Sequence, residues 1–407
     1  MTQIEQAWGS GPSARYEAFA EQFRPAFESI HRTAISRDIG RHLPHDEIAV
    51  LKATGFTTLR IPVEQGGFGA TLPELFNLII ELSAADPNVT NAVRAHLGLT
   101  EDLLTSTFPE YRSTWLTRIA NRETAGSGFS ETGDAKVGSF STRLSRNGAQ
   151  WRLNGKKYYT TGSLFADWIH LAAADDQGEL VNALVSTRAP GVTILDDWDG
   201  FGQSLTASGT ILFEDVILTS ENINPARKRF SYGLAFFQLV HLATLAGIGR
   251  AAANDVARLV AERQRVYSHG NAERAAFDPQ ILQIVGHVRA AAYAAGAITL
   301  KAAEAVQRAY DTLVTGDTVA ADAAAEIADI EVNQSVTVIT NLILDATTRL
   351  FDALGASAAK REHGLDRHWR NARTIASHNP RIYRERIVGD FAVNGTRPPN
   401  SYRVGQS

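Results

Sequence analysis

A double change of hydrophobic period limits this chain more than any other feature. Up to about Asn121, apolar residues recur at three- and four-residue spacings, the helical period. From about 122 to 225 the text turns into short strand-like runs. From about Pro225 the helical period returns in alanine-rich runs at 235–265, 280–313 and 319–355. Runs that long predict a bundle of long antiparallel helices. The sequence therefore divides into a helical domain over 1–121, a small β domain over 122–225 and a helical bundle over 226–407. The predicted class is α+β, mostly helical.

Local signals fill in this outline. Leu75, Leu78, Ile79 and Leu82 fall at helical spacing behind Pro73, a good first-turn residue. The stretch from Ile61 to Gly69 holds a proline and three glycines and predicts a loop. Trp151 to Thr160 predicts a strand, a turn at Asn154-Gly155 and a second strand. Further strands are predicted at Trp168–Ala174, 183–187 and 209–216, which together suggest a small barrel or sandwich.

Composition removes several function classes. A net charge of -4 gives no electrostatic footprint for nucleic acid. There is no cysteine, so disulfides, thiolate nucleophiles and Fe–S clusters are excluded. The acidic N-terminus does not read as a secretory signal. No uninterrupted apolar run approaches the roughly 20 residues that span a bilayer, so a cytoplasmic enzyme is expected. Residues 126–133 nearly spell a hydrolase elbow, but Thr132 replaces its last glycine. No metal site is expected: His42, His45 and Asp46 read as a solvated loop.

Four segments, in order, resemble the acyl-CoA dehydrogenase family. Pro62-Val-Glu-Gln-Gly-Gly-Phe-Gly69 is similar to its early glycine-rich loop. Gly128-Phe-Ser-Glu-Thr-Gly133 resembles the turn against the flavin ring. Leu153-Asn-Gly-Lys-Lys157 with Thr160-Thr-Gly162 resembles its strand pair and flavin-side threonine. Glu262-Arg263-Gln264 stands where the family places an arginine on the cofactor phosphate. The resemblance implies an N-terminal helical domain, a central small β-barrel and a C-terminal four-helix bundle, assembled as a homotetramer. The C-terminal stretch from Gly364 to Thr374, followed by Ser377-His-Asn-Pro380, looks like the flavin monooxygenase branch of this fold (group D). The dibenzothiophene monooxygenases are the nearer likeness there, with further matches at Ala84-Ala-Asp86, His96-Leu97 and Asp196-Asp-Trp198.

The chemistry separates the two branches. A dehydrogenase needs a carboxylate base to take an α-proton while hydride leaves. The family places that glutamate near the position of His378 or in the helix near His241, and neither stretch carries one at the matching place. A monooxygenase instead needs neutral or switchable donors beside reduced flavin, which meets O2 at its C4a carbon and forms a hydroperoxide. The resemblance then implies His378, His96 and Thr161 as the reacting-side residues. It implies Ser127, Phe129, Ser130, Thr161, Arg263 and Ser357 as flavin contacts, with Arg265 competing for the phosphate. Ser357 departs from the dibenzothiophene enzymes, which carry an arginine there. Arg367, Arg370 and Arg373 share a helix face and are expected to pair with acidic groups between subunits. The expected function is a two-component monooxygenase that puts one atom of O2 into a sulfur, nitrogen or aromatic carbon of a small organic substrate. Reduced FMN would come from a separate NAD(P)H:flavin reductase, since no dinucleotide-binding fingerprint is present. An FAD-dependent acyl-CoA dehydrogenase and a catalytically idle binding homologue are the alternatives.

Overall fold

The computed structural model describes residues 7–132, 140–226 and 229–401. Gly133, which closes the flavin-turn stretch, lies outside them. The chain opens with helices α1 (Tyr16–Ala20), α2 (Arg24–Gly40), α3 (His45–Thr54), α4 (Leu72–Ala85), α5 (Pro87–Leu104) and α6 (Pro109–Ala120). Local chemistry sets the starts of the two central ones. Thr71 and Glu74 close a capping box on α4, with Pro73 in its first turn. The Asp86 carboxylate caps α5 by accepting from the Asn88 N–H, and Pro87 follows it.

Seven strands come next: β1 (Ala125–Gly128), β2 (Arg143–Asn147), β3 (Gln150–Lys157), β4 (Trp168–Ala174), β5 (Leu180–Ser186), β6 (Val192–Ile194) and β7 (Ile211–Leu218). They form one curled sheet in the order β1-β4-β2-β3-β7-β6, with β5 on the other edge of β4. Strands β1 and β2 share an edge of β4: β1 pairs in parallel with residues 168–171, and β2 joins at Arg143↔Ala174. The turn expected at Asn154-Gly155 is not there. Strand β3 runs straight through, its register shifting between Leu153 and Gly155 where Gly155 takes φ +145°. The Asn154 side chain accepts from the Asp215 N–H across the irregularity, and the real hairpin turn is at Gly148.

The bundle is built from α7 (Gly233–Glu262), α8 (Pro279–Val314), α9 (Thr318–Arg349), α10 (Asp366–Ala376) and α11 (Arg384–Asn394). By length and composition both α7 and α8 could cross a membrane, a point the search for uninterrupted apolar runs missed. Most of the apolar window of α7 is buried in the core, whereas only 22% of that of α8 is buried. One hydrophobic core joins the N-terminal helices to the bundle, with Phe76 of α4 against Phe236 of α7 at 5.5 Å. The sheet keeps a separate core around Leu153, Ile169, Leu171 and Phe213. Two further clusters among the described residues lie in the bundle around Val256, Val288 and Leu350, and between α5, α6 and the sheet around Leu99, Trp115 and Leu184.

Candidate active site

The sheet and the helices meet beside Thr161. Gly162 takes φ +80°, and a Cβ there would lie 1.9 Å from the Ala92 carbonyl oxygen, so only glycine lets this turn press against α5. The contact sets Thr161 beside the stretch of α5 that carries Asn91 and Arg94. Hydroxyls line the junction. Thr161 Oγ1 lies 2.7 Å from Ser208 Oγ, which lies 2.7 Å from Thr206 Oγ1, which donates to the Gln203 carbonyl. The Ser127 N–H donates to the Thr161 carbonyl, and Ser163 Oγ donates back to the Ser127 carbonyl. Phe129 packs edge-on to His170 at 4.9 Å with the Arg229 guanidinium over its ring. Ser130 is exposed and accepts from the Tyr158 N–H through its carbonyl. Its side chain has no contact with the others among the described residues.

The hydroxyl chain leads to the C-terminal motif, because the Gln203 N–H donates to the Asn371 side chain on α10. Just past α10, His378 lies 4.4 Å from His241 of α7, ring centroid to ring centroid. Asn379 donates to Gln238 of α7, one helical turn before His241, and fixes the segment there. Arg94 Nη2 reaches His378 Nε2 at 3.3 Å. Protein surrounds His378, yet the residue as a whole keeps solvent exposure, so it lines a recess. Burial and the Arg94 charge push it below the ordinary histidine value. A guanidinium can only donate, so Nε2 accepts and the proton of this neutral ring sits on Nδ1. His241 is buried, neither of its ring nitrogens has a partner among the described residues, and burial, with the repulsion that protonating it beside His378 and Arg94 would bring, holds it neutral. No carboxylate bears on either histidine among the described residues. Asp102 reaches the cluster only through Arg229, with which it pairs at 2.5 Å. The Phe237 ring meets both guanidiniums, Arg229 at 4.6 Å and Arg94 at 5.6 Å. It fits against α5 because residue 98 is glycine, where any Cβ would run into the ring.

Arg263 ends α7 and lies elsewhere on the surface of the bundle. Its guanidinium donates to the carbonyls of Ala353, Leu354 and Arg265. Its Nη2 faces Gly355, at the head of the exposed turn that carries Ser357. The fold therefore brings these two predicted phosphate contacts to one place, away from the contacts around Thr161.

Matches to three domain models run along the chain. The N-terminal domain of acyl-CoA dehydrogenase matches residues 14–123, the middle domain 128–216 and the C-terminal domain 239–380. The chain belongs to the acyl-CoA dehydrogenase family. Its relatives side with the oxygenase branch. A dibenzothiophene monooxygenase of Mycolicibacterium goodii is 26% identical over 90% of this chain and 91% of its own length. A probable FMNH2-dependent monooxygenase of Pseudomonas putida is 26% identical over 91% of this chain and 93% of its own. The crystal structure of FMN-bound TdsC from Paenibacillus sp. A11-2 superposes with TM-score 0.85 at 25% identity, covering 94% of this chain and 98% of TdsC. These relatives favour a flavin monooxygenase over a dehydrogenase.

Within this family member, some residues of the sequence-derived site sit apart from the recess. His96 is buried with both ring nitrogens engaged, Nε2 donating to the Thr57 carbonyl at 2.7 Å and Nδ1 accepting from the Ala125 N–H. It straps α5 to β1, and no contact among the described residues joins it to His378. Members of the arginine row pair within the chain, Arg367 with Asp255, Arg370 with Asp38 and Asp366. Among the described residues Arg373 reaches only the Ser377 hydroxyl. Arg94, Phe237 and Arg229 escaped the sequence reading. The available signal was Arg94 itself, a charge on the most buried helix of the N-terminal zone. Among the described residues no cluster suited to a metal is present.

Proposed function

We propose that this chain is the oxygenase component of a two-component, FMNH2-dependent monooxygenase acting on a small organic substrate. One observation carries the reading: the recess at His378 holds two neutral histidines and an arginine where a dehydrogenase needs a carboxylate base. Bound reduced FMN would supply two electrons to O2, so that one oxygen atom enters the substrate and the other leaves as water.

The residues present fit a flavin. The hydroxyls of Thr161 and Ser127 and the ring of Phe129 offer polar and apolar contacts to its ring system. Arg263 and the turn at Ser357 offer a guanidinium Nη2 and a hydroxyl to its phosphate. His378 would offer a ring that stays neutral at working pH, its Nε2 held by Arg94 and the Asn379 side chain bonded to the ring as well. Phe237 and the α5 wall keep water from the other side. The division at 121 and 225 would set the sheet beside two helical layers that pack on each other, with the recess where α5 meets α7 and the segment after α10. Exposed apolar residues on α8 and α9, among them Leu282, Tyr293, Ile327 and Val338, support a homotetramer that covers them, and the reading places it in the cytoplasm. A separate NAD(P)H:flavin reductase would supply the reduced FMN.

The test is a pair of titrations. Reduced FMN should bind more tightly than FAD, and no acyl-CoA should bleach bound flavin. Tight FAD with bleaching by an acyl-CoA would reverse the assignment, and no flavin binding at all would leave an idle homologue.

A further inference from the structure

Arg94 lacks a counter-ion. Among the described residues its guanidinium meets His378 Nε2 and the Phe237 ring, and no carboxylate. Its Nε is buried with no hydrogen-bond partner. The neighbouring Arg229 is already satisfied by Asp102. Two guanidiniums therefore share one carboxylate, and one positive charge is left over. Burial and the like charge of Arg229 push Arg94 down to about 10, which still leaves it protonated at neutral pH. A desolvated, unpaired guanidinium costs stability, and a fold that keeps one at the mouth of a recess keeps it for a partner that arrives from outside. Other groups nearby wait in the same way. Both ring nitrogens of His241 are buried without partners, and so is Oδ1 of Asn91, one turn before Arg94 on α5.

We propose that Arg94 anchors an anionic group of the substrate, so that the compound oxidised here carries a carboxylate, sulfinate or sulfonate. This rests on the monooxygenase reading above. The guanidinium fork suits a two-oxygen anion, and the Phe237 ring beside it offers an apolar surface for the rest of the molecule. The flavin phosphate is the other possible source of an anion, but Arg263 and the 355–357 turn already offer it a place.

The experiment is equilibrium titration of the FMN-saturated protein with benzenesulfinate, methanesulfinate and benzoate, against the neutral methyl phenyl sulfone and benzamide. Wild type should bind at least one anion about tenfold more tightly than its neutral counterpart. Arg94→Met should weaken that anion by about 30-fold or more, and leave the neutral compounds and FMN within a few-fold. Arg94→Lys should fall between, keeping the charge and losing the fork. The melting temperature of Arg94→Met without ligand should match or exceed wild type, whereas a merely structural arginine would lower it. Wild type that binds FMN but none of the anions overturns this proposal and leaves the monooxygenase reading standing. Equal losses for anions and neutral compounds overturn it too. A collapse of FMN affinity in Arg94→Met would assign the anion to the flavin phosphate instead. Wild type that binds no FMN would remove the underlying reading itself.

Discussion

The recess at His378 and the interior of the helical layers both bury arginines and histidines, and they treat them in opposite ways. Among the described residues the buried arginines and the histidine of the helical layers named next have carboxylate partners, although His170 of β4 is buried with neither ring nitrogen bonded. Arg60 lies against Glu101, which also accepts from the Tyr232 hydroxyl. Arg37 pairs with Asp86 and Glu47. Asp255 accepts from both Arg367 and His368. In the recess, among the described residues, Arg94 has no carboxylate and His241 has no partner for either nitrogen. The difference teaches which buried polar groups hold the fold and which await a ligand. Buried polar atoms are normally paired, so an unpaired set gathered in one place points to function.

Substitutions should divide along the same line. The largest effect belongs to the paired interior. Glu101→Leu strands a fully buried Arg60 and should cost about 3–5 kcal/mol of stability, read by denaturant unfolding. A variant as stable as wild type would show that the interior pairs are not what separates the two regions. Next comes His378→Ala, which should cut product formation by about 100-fold or more while the protein melts as before and binds FMN within a few-fold. Unchanged turnover would remove His378 from the chemistry. The smallest effect is spread over pH. His96 and His368 are both held neutral by burial, each pushed down to about 4. In the unfolded chain they titrate near 6.5, so between those values the unfolded state binds more protons. Their contribution is complete above about pH 6.5 and is lost as pH falls towards 4, on the order of 1 kcal/mol per pH unit for each group. Replacing His96 with Gln should flatten that part of the stability curve. An unaltered slope would show that His96 does not strap α5 to β1 as a neutral ring.

Most of the architecture was legible because its signals are local. The runs behind Pro73, at 168–174 and at 280–313 each follow from periodicity and capping within their own stretch. The misreading at Asn154-Gly155 has a physical cause. A turn dipeptide in a strand also suits an irregularity in pairing, and only the partner strand decides which one forms. The shared core of the two helical layers was invisible, since Phe76 and Phe236 are 160 positions apart. The site divided in the same way. His378 was singled out through its motif. Its neighbours Arg94 and His241 come from two other helices, and nothing in their spacing along the chain brings them to it. For His96 a motif likeness suggested a role towards substrate, while the tertiary contacts employ both of its nitrogens.

The central claim is that the neutral recess serves oxygen transfer rather than proton abstraction. The direct measurement is a reaction of the protein with chemically reduced FMN and 18O2 over a panel of acidic and neutral organosulfur and aromatic compounds, read by mass spectrometry. The account predicts a product that carries one 18O atom per molecule, lost with His378→Ala. A wild-type reaction that returns every compound unlabelled, with an acyl-CoA dehydrogenated in a parallel assay, would contradict it.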